Sequence, residues 1–465
     1  MQSGDADSPR APGLNSECEC CSFRGSQPFR WEFSRFCLAF SPSGLNNCVF
    51  SSGREFFMTF GTNFYPYAFR KFVQLLIHSN TSGQANVSIP FQKTFDSINI
   101  TTGETVYNFS NPGPLDPYYL EIKTKGVYLN SSVPIKVYLI NHGGSSTDGF
   151  LVYPKEFLST EYLVSTSQPY INRPYTHFQS EFAILSTTDN NNVSIQLRLF
   201  NGSITYNNKT FRNGERIHIV LGRLDTFQIY HPWDMSGTRI VSRFPVAVVA
   251  GNRCNVFESY NGCDHFSEMM PPVSQLATKY IAPDFYDYFN WTIQVVAASN
   301  HTHVKIHEKN GVNVTKTLKE NAKMEVVVEN VATIEASSPV LTTLYVHGLH
   351  VVERLDPFMT LCPWIDSYKR EYAVVVPSLG FESYLAISVE TAFLSGIAID
   401  GKVITDTIDM MYDTNVLLDG VRYTVLSVNV TSGPHTISHE NDKPFGLIVY
   451  GNQMHDSYGF LGGLF

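Results

Sequence analysis

The sequence predicts an all-β protein built from four internal repeats of about 100 residues, arranged as tandem β-sandwich-like modules or alternatively as a β-propeller. Three observations carry this expectation. An apolar strand entered through a proline recurs four times: PIKVYLINHG from Pro134, PVAVVAGN from Pro245, PVLTTLYVHG from Pro339 and PFGLIVYGN from Pro444. Apolar-polar alternation over four to eight residues, bounded by Asn, Gly and Ser, marks hairpins throughout. Aromatics reach 13% while charged residues are only 16%, a balance that suits packed strands and opposes disorder.

Taken in order, residues 1–52 are rich in Ser, Gly, Pro and Cys and read as a leader or cysteine-stapled cap. The repeat units then run over 53–158, 159–276, 277–368 and 369–465. Each opens on a charged or polar residue, an aromatic and an apolar strand: REFFMTF at Arg54, TEYLVST at Thr160, TKYIAPD at Thr278 and REYAVVV at Arg370. A second strand follows, at Lys71, Glu181, Trp291 and Ser383, and returns through a short alternating strand such as NVSIQLRLF or HVKIHEK. The proline-led strand comes next. Proline suits the first position of a strand, where its missing N–H breaks no ladder bond. Each unit closes on Asp, one or two residues, and an aromatic, at Asp148, Asp264, Asp356 and Asp456. The best helix candidate is the short PPVSQLATKYIA at Pro271.

The net charge of −9 offers no basic stripe, so nucleic acid is not an expected partner, and no run has the length of a membrane span. Asn-x-Ser/Thr triplets occur at Asn80, Asn86, Asn99, Asn108, Asn130, Asn192, Asn201, Asn208, Asn290, Asn300, Asn313 and Asn429. Twelve such triplets exceed what composition alone would produce, and they point to a secreted, extracellular glycoprotein. Eight cysteines, an even number, agree with an oxidising compartment, although a signal peptide is not evident in this N-terminus.

Cys254, Cys263 and His265 could be read as zinc ligands, but a fourth ligand is lacking at useful spacing. A disulfide between Cys254 and Cys263 is the favoured reading, with Cys37 and Cys48 as a possible second bridge. The bridge would stiffen the loop NVFESYNG, whose Phe257 and Tyr260 are the binding-loop candidates. Asp148, Asp264, Asp356 and Asp456 occupy one position of the repeat. They are candidates for capping turns or for binding calcium along a rim. Histidines recur near the unit turns at His142, His347, His350 and His455. No nucleophile elbow, no His-Glu-x-x-His and no phosphate-cradling loop is found, so the expectation is no enzyme and no cofactor.

The run GTRIVSRFPVAVVAGNRC followed by GCDHFSEMMPPVSQLATKYIAP, with GREFFMTF and EFAIL before it, resembles the N-terminal domain of the IgGFc-binding protein family. The positions that carry the likeness are Gly237, Thr238, Ser242, Pro245 to Val248, Cys254, Cys263, Asp264, His265 and Pro271 to Val273. The resemblance implies an extracellular or mucus-associated module that binds immunoglobulin Fc or mucin-type glycoproteins. Family domains usually precede cysteine-dense von Willebrand type D modules. None lies in these residues, so a gel-forming role is not expected of this stretch by itself. A carbohydrate-binding or carbohydrate-processing β-domain is the alternative.

Overall fold

A computed structural model describes residues 51–63, 71–144, 146–170, 178–257, 263–348, 355–404 and 410–464. Phe50–Phe465 forms one compact unit. The all-β expectation holds: strands dominate, and the helical pieces are short 3₁₀ turns. The segment at Pro271 is one of these, a turn over Val273–Gln275 that leads into strand Ala277–Ala282. Val273, Leu276, Ala277, Tyr280 and Ile281 have helical spacing, but pairing of Ala277–Ala282 with the strand Ala332–Val346 draws the second half into a sheet.

Three seven-stranded antiparallel sheets share one pairing scheme, each organised on a long strand: Val127–His142, Arg239–Asn255 and Ala332–Val346. Pro134, Pro245 and Pro339 lie inside these strands, not at their first position as expected. They are tolerated because the pairing slips there: the register against the opening strand shifts between Val241 and Val246, and between the partners of Ala277 and Lys279. The proline also marks a change of environment. Before it, burial alternates in the first two long strands and is broken by partly buried and exposed residues in the third; after it, seven consecutive residues are buried in each strand.

The pairing follows the same division. The outer half of each long strand bonds the opening strand (Gly53–Met58, Ser159–Leu163, Ala277–Ala282) and a hairpin strand (Gly83–Ile89, Asn191–Gln196, Thr302–Glu308). The inner half bonds a fully or nearly fully buried strand (Phe72–Ser79, Gln179–Ser186, Trp291–Ala297) and a closing strand. In the last part of the chain Gly433–His439 and Phe445–Gln453 are separate strands, interrupted just before Pro444. The sheet accordingly divides into one of four strands and one of five. Here proline does precede the first strand residue.

A tyrosine bonds across this place in three of the four units. The Tyr162 hydroxyl accepts the Ser159 N–H and donates to the Val246 carbonyl at 2.7 Å, one residue past Pro245. Tyr280 makes the same pair of bonds with Ala277 and Val340, and Tyr372 with Lys369 and Phe445. In the first sheet Phe56 has the corresponding place, pairing with Leu129 and bridging Pro154, without a hydroxyl. A buried carbonyl and N–H left without partners cost about 1–3 kcal/mol. Tyr162→Phe should therefore lower stability by about 1–3 kcal/mol in denaturant titration, with an unchanged m-value.

Candidate functional site

The four closing strands, Thr147–Val152, Asp264–Met269, Phe358–Leu361 and Asp456–Leu461, are buried along their length. They meet in cyclic order: the first packs on the second and the fourth, and the third packs on the second and the fourth. The sheets thus close on one another around a common axis. Each closing strand pairs with a long-strand partner on one side only. The other edge faces the axis, and its N–H groups need acceptors.

Carboxylates supply them. One oxygen of Asp148 accepts the N–H of Ser267 at 3.0 Å and of Met359 at 3.4 Å; the other accepts those of Gly149 at 2.9 Å and Gly459 at 3.4 Å. One side chain therefore ties all four closing strands. Glu268 accepts the Leu361 N–H at 3.0 Å. Asp456 accepts the Thr147 hydroxyl at 2.9 Å and the Ser457 N–H at 3.1 Å, with His142 Nδ1 3.3 Å away. Asp264 accepts the His265 N–H at 2.7 Å, and the Ser457 hydroxyl donates to the Asp356 carbonyl at 2.9 Å. Asp148, Asp264, Asp356 and Asp456, spaced about 100 residues apart, thus converge. Among the described residues, no three His, Cys, Asp or Glu side chains are grouped so as to hold a metal ion.

Burial raises the Asp148 and Glu268 carboxyls well above their ordinary range. Asp264 is pushed up by burial and then by Asp456, Asp356 and Asp148. Asp356 is raised to about 7 by burial and by Asp456. His265 goes the other way, to about 3, because burial and nearby Lys71 disfavour the cation. Its neutral ring donates from Nδ1 to the Asn252 carbonyl at 3.0 Å, and Nε2 accepts from Asn141 at 3.1 Å. His347 is also neutral, lowered to about 4 by burial, whereas His350 lies outside the described residues.

Cys254 and Cys263 form a disulfide with their Cα atoms 5.4 Å apart. Cys37, Cys48 and Tyr260 lie outside the described residues. Phe257 is partly buried and stacks on His347 at 4.0 Å and on Phe266 at 5.8 Å, so its ring fastens the loop to the body. Cys362 is a buried free thiol, so the even cysteine count does not mean complete pairing. None of the twelve sequon asparagines is buried, whereas Asn63, Asn141, Asn191, Asn252, Asn255 and Asn452 are.

Sequence reasoning placed the aspartates at one repeat position but missed Glu268, Asn141 and the latching tyrosines. Tyr162, Tyr280 and Tyr372 were visible as the recurring aromatic of the opening strand; Asn141 and Glu268 had no such periodic signal. Gly237, one of the positions that carry the resemblance, has φ +87°, and a Cβ there would stand 2.1 Å from the Asn321 carbonyl. Thr238 beside it accepts the Arg198 N–H at 3.0 Å. These two residues shape the turn that joins Thr226–His231 to Arg239–Asn255 within the second sheet, where it lies against Asn321 of the third.

The profile of the IgGFc binding protein family matches residues 148–451, and the chain belongs to that family. It is similar to the human IgGFc-binding protein, 26% identical over 411 residues, which cover 86% of this chain and 7% of that protein. The chain thus spans a small part of that relative's length. The matched region begins at Asp148 and takes in the disulfide, His265 and three of the four closing strands.

Two outcomes follow. Raised carboxyl pKa values mean that protonation favours the folded state: stability is fullest below the unfolded carboxyl pKa near 4 and declines as pH rises through about 7, the folded value for Asp356. Asp264→Asn should raise the Tm at pH 8 and leave it nearly unchanged at pH 4, as followed by differential scanning calorimetry. Replacing Cys254 and Cys263 together by Ser opens a short loop and should cost about 2–3 kcal/mol in chemical denaturation.

Proposed function

We propose that this chain is an extracellular, N-glycosylated binding module, not an enzyme, whose partner is another glycoprotein: immunoglobulin Fc or a mucin-type glycoprotein. The observation that carries the reading is the disulfide-closed loop from Cys254 to Cys263. The second unit alone has a cysteine pair so spaced. The loop leaves the C-terminal end of the long strand Arg239–Asn255, where Cys254 lies opposite Gln179, the first residue of the buried strand. A loop tied by a covalent bridge and by Phe257 loses little conformational freedom on contact, which favours affinity. Family membership, the name of the human relative and the accessible sequons support the same reading.

Carbohydrate binding is the second reading, and it has one specific support: Phe200, 78% exposed, lies against Trp233 with ring centroids 5.7 Å apart. Such a platform suits a sugar face.

Secreted protein immobilised on a biosensor should bind human Fc or purified mucin, and Tyr260→Ser should weaken that binding at least about tenfold without lowering the Tm. Unchanged binding would put the contact surface elsewhere. Binding to neither Fc nor mucin, with strong hits on a glycan array, would favour the carbohydrate reading.

A further inference from the structure

A groove of about 660 Å³ runs over the solvated face of the second sheet. Its floor is formed by Asn191–Gln196, Arg216–Leu221 and the outer half of Arg239–Asn255. The hairpin Ile204–Tyr206 and Lys209–Phe211 contributes Tyr206 and Asn207 to its wall. The cross-strand register puts Val220 directly opposite Asn192, and Val241 directly opposite Ser194. Asn192 and Ser194 are the first and third residues of one sequon. Val220 and Val241 are 55% and 44% exposed, which is unusual for aliphatic side chains in the middle of a sheet, and Asn192 is exposed between them.

The same juxtaposition recurs in the other sheets. Phe95, 69% exposed, is opposite Ser88, the third residue of the Asn86 sequon. Val327, 52% exposed, is opposite Thr292, the third residue of the Asn290 sequon. Phe289 and Phe200, at 66% and 78%, immediately precede Asn290 and Asn201. Exposed apolar side chains thus repeatedly stand within one residue or one strand of a sequon.

We propose that the groove is the seat of the chain's own N-glycan: the inner sugars attached to Asn192 fold back over Val220 and Val241 and cover them. This rests on the extracellular, glycosylated reading above. N-acetylglucosamine suits the place chemically, because each ring has an apolar C–H face for the valines and hydroxyl and amide groups for Asn207, His218 and Arg243 along the groove. An attached glycan escapes the translational cost that a free ligand would meet, since its anchor is already in the floor. The consequence for recognition is that this concave surface is filled from within and is not the docking site of an outside ligand.

The test uses the secreted glycoprotein from eukaryotic cells, with occupancy read site by site by mass spectrometry after glycan release in heavy-oxygen water. Under native conditions peptide N-glycosidase should free the Asn192 glycan about tenfold more slowly than the glycan on Asn300, which stands in an exposed turn. Denaturation should abolish the difference. Val220→Ser together with Val241→Ser should bring the native rate at Asn192 up to that at Asn300; both side chains are exposed, so folding is not at stake. Equal native rates at Asn192 and Asn300 would overturn the covering while leaving glycosylation intact. So would an empty Asn192 among occupied sites. A protein with no site occupied would overturn the glycosylated reading itself.

Discussion

Each sheet ends on a strand that has one bonded edge and one edge turned toward its neighbours, and this free inner edge is the constraint on which the assembly depends. Four such edges come together without forming a ladder, because each strand already belongs to a different sheet. Their N–H groups are out of reach of water and must be satisfied by side chains. Asp148 bonds all four strands and Glu268 adds Leu361, so carboxyl groups take the place that a further strand would have. Gathering several acids in a buried space keeps them in part protonated, and the junction carries a pH dependence for that reason.

The proline inside each long strand is the second organising device. It divides one continuous strand into a half that borders water and a half that is enclosed, and the tyrosine hydroxyl bonds the carbonyl exposed by the slip. The outer halves are left with a solvated face. Asn86, Asn130 and Asn192 and the exposed Val220 and Val241 lie there, while the inner halves carry the axis. The solvated face and the enclosed junction are therefore segregated along the same strand. A change at Val220 or Asn192 is not expected to reach the closing strands, whereas a change at Asp148 would touch all of them.

Much of the fold was legible in the chain. Alternating burial in THVKIHE and unbroken burial in WTIQVVA differ because one strand has a wet face and the other has none. The recurrence of Pro134, Pro245, Pro339 and Pro444 disclosed the unit. The position of proline within its strand was misjudged, since a register slip leaves no trace in the residues on either side of it. The disulfide between Cys254 and Cys263 was readable from spacing and compartment. The inward turn of Phe257 was not, because His347 and Phe266, on which it stacks, come from another sheet and from the closing strand.

What the sequence by itself determined is therefore local and periodic: strand content, the repeating order of strands, the twelve Asn-x-Ser/Thr triplets and the family. These depend on side-chain alternation, proline geometry and short motifs, each contained within a few residues. Only the tertiary structure decided that four aspartates spaced along the whole chain meet at one axis, that tyrosines bond carbonyls about 60–85 residues away, and that a sequon lies across a groove from exposed valines. Those relations are set by which strands pair and in what register. A shift of one residue would turn every one of these side chains to the other face.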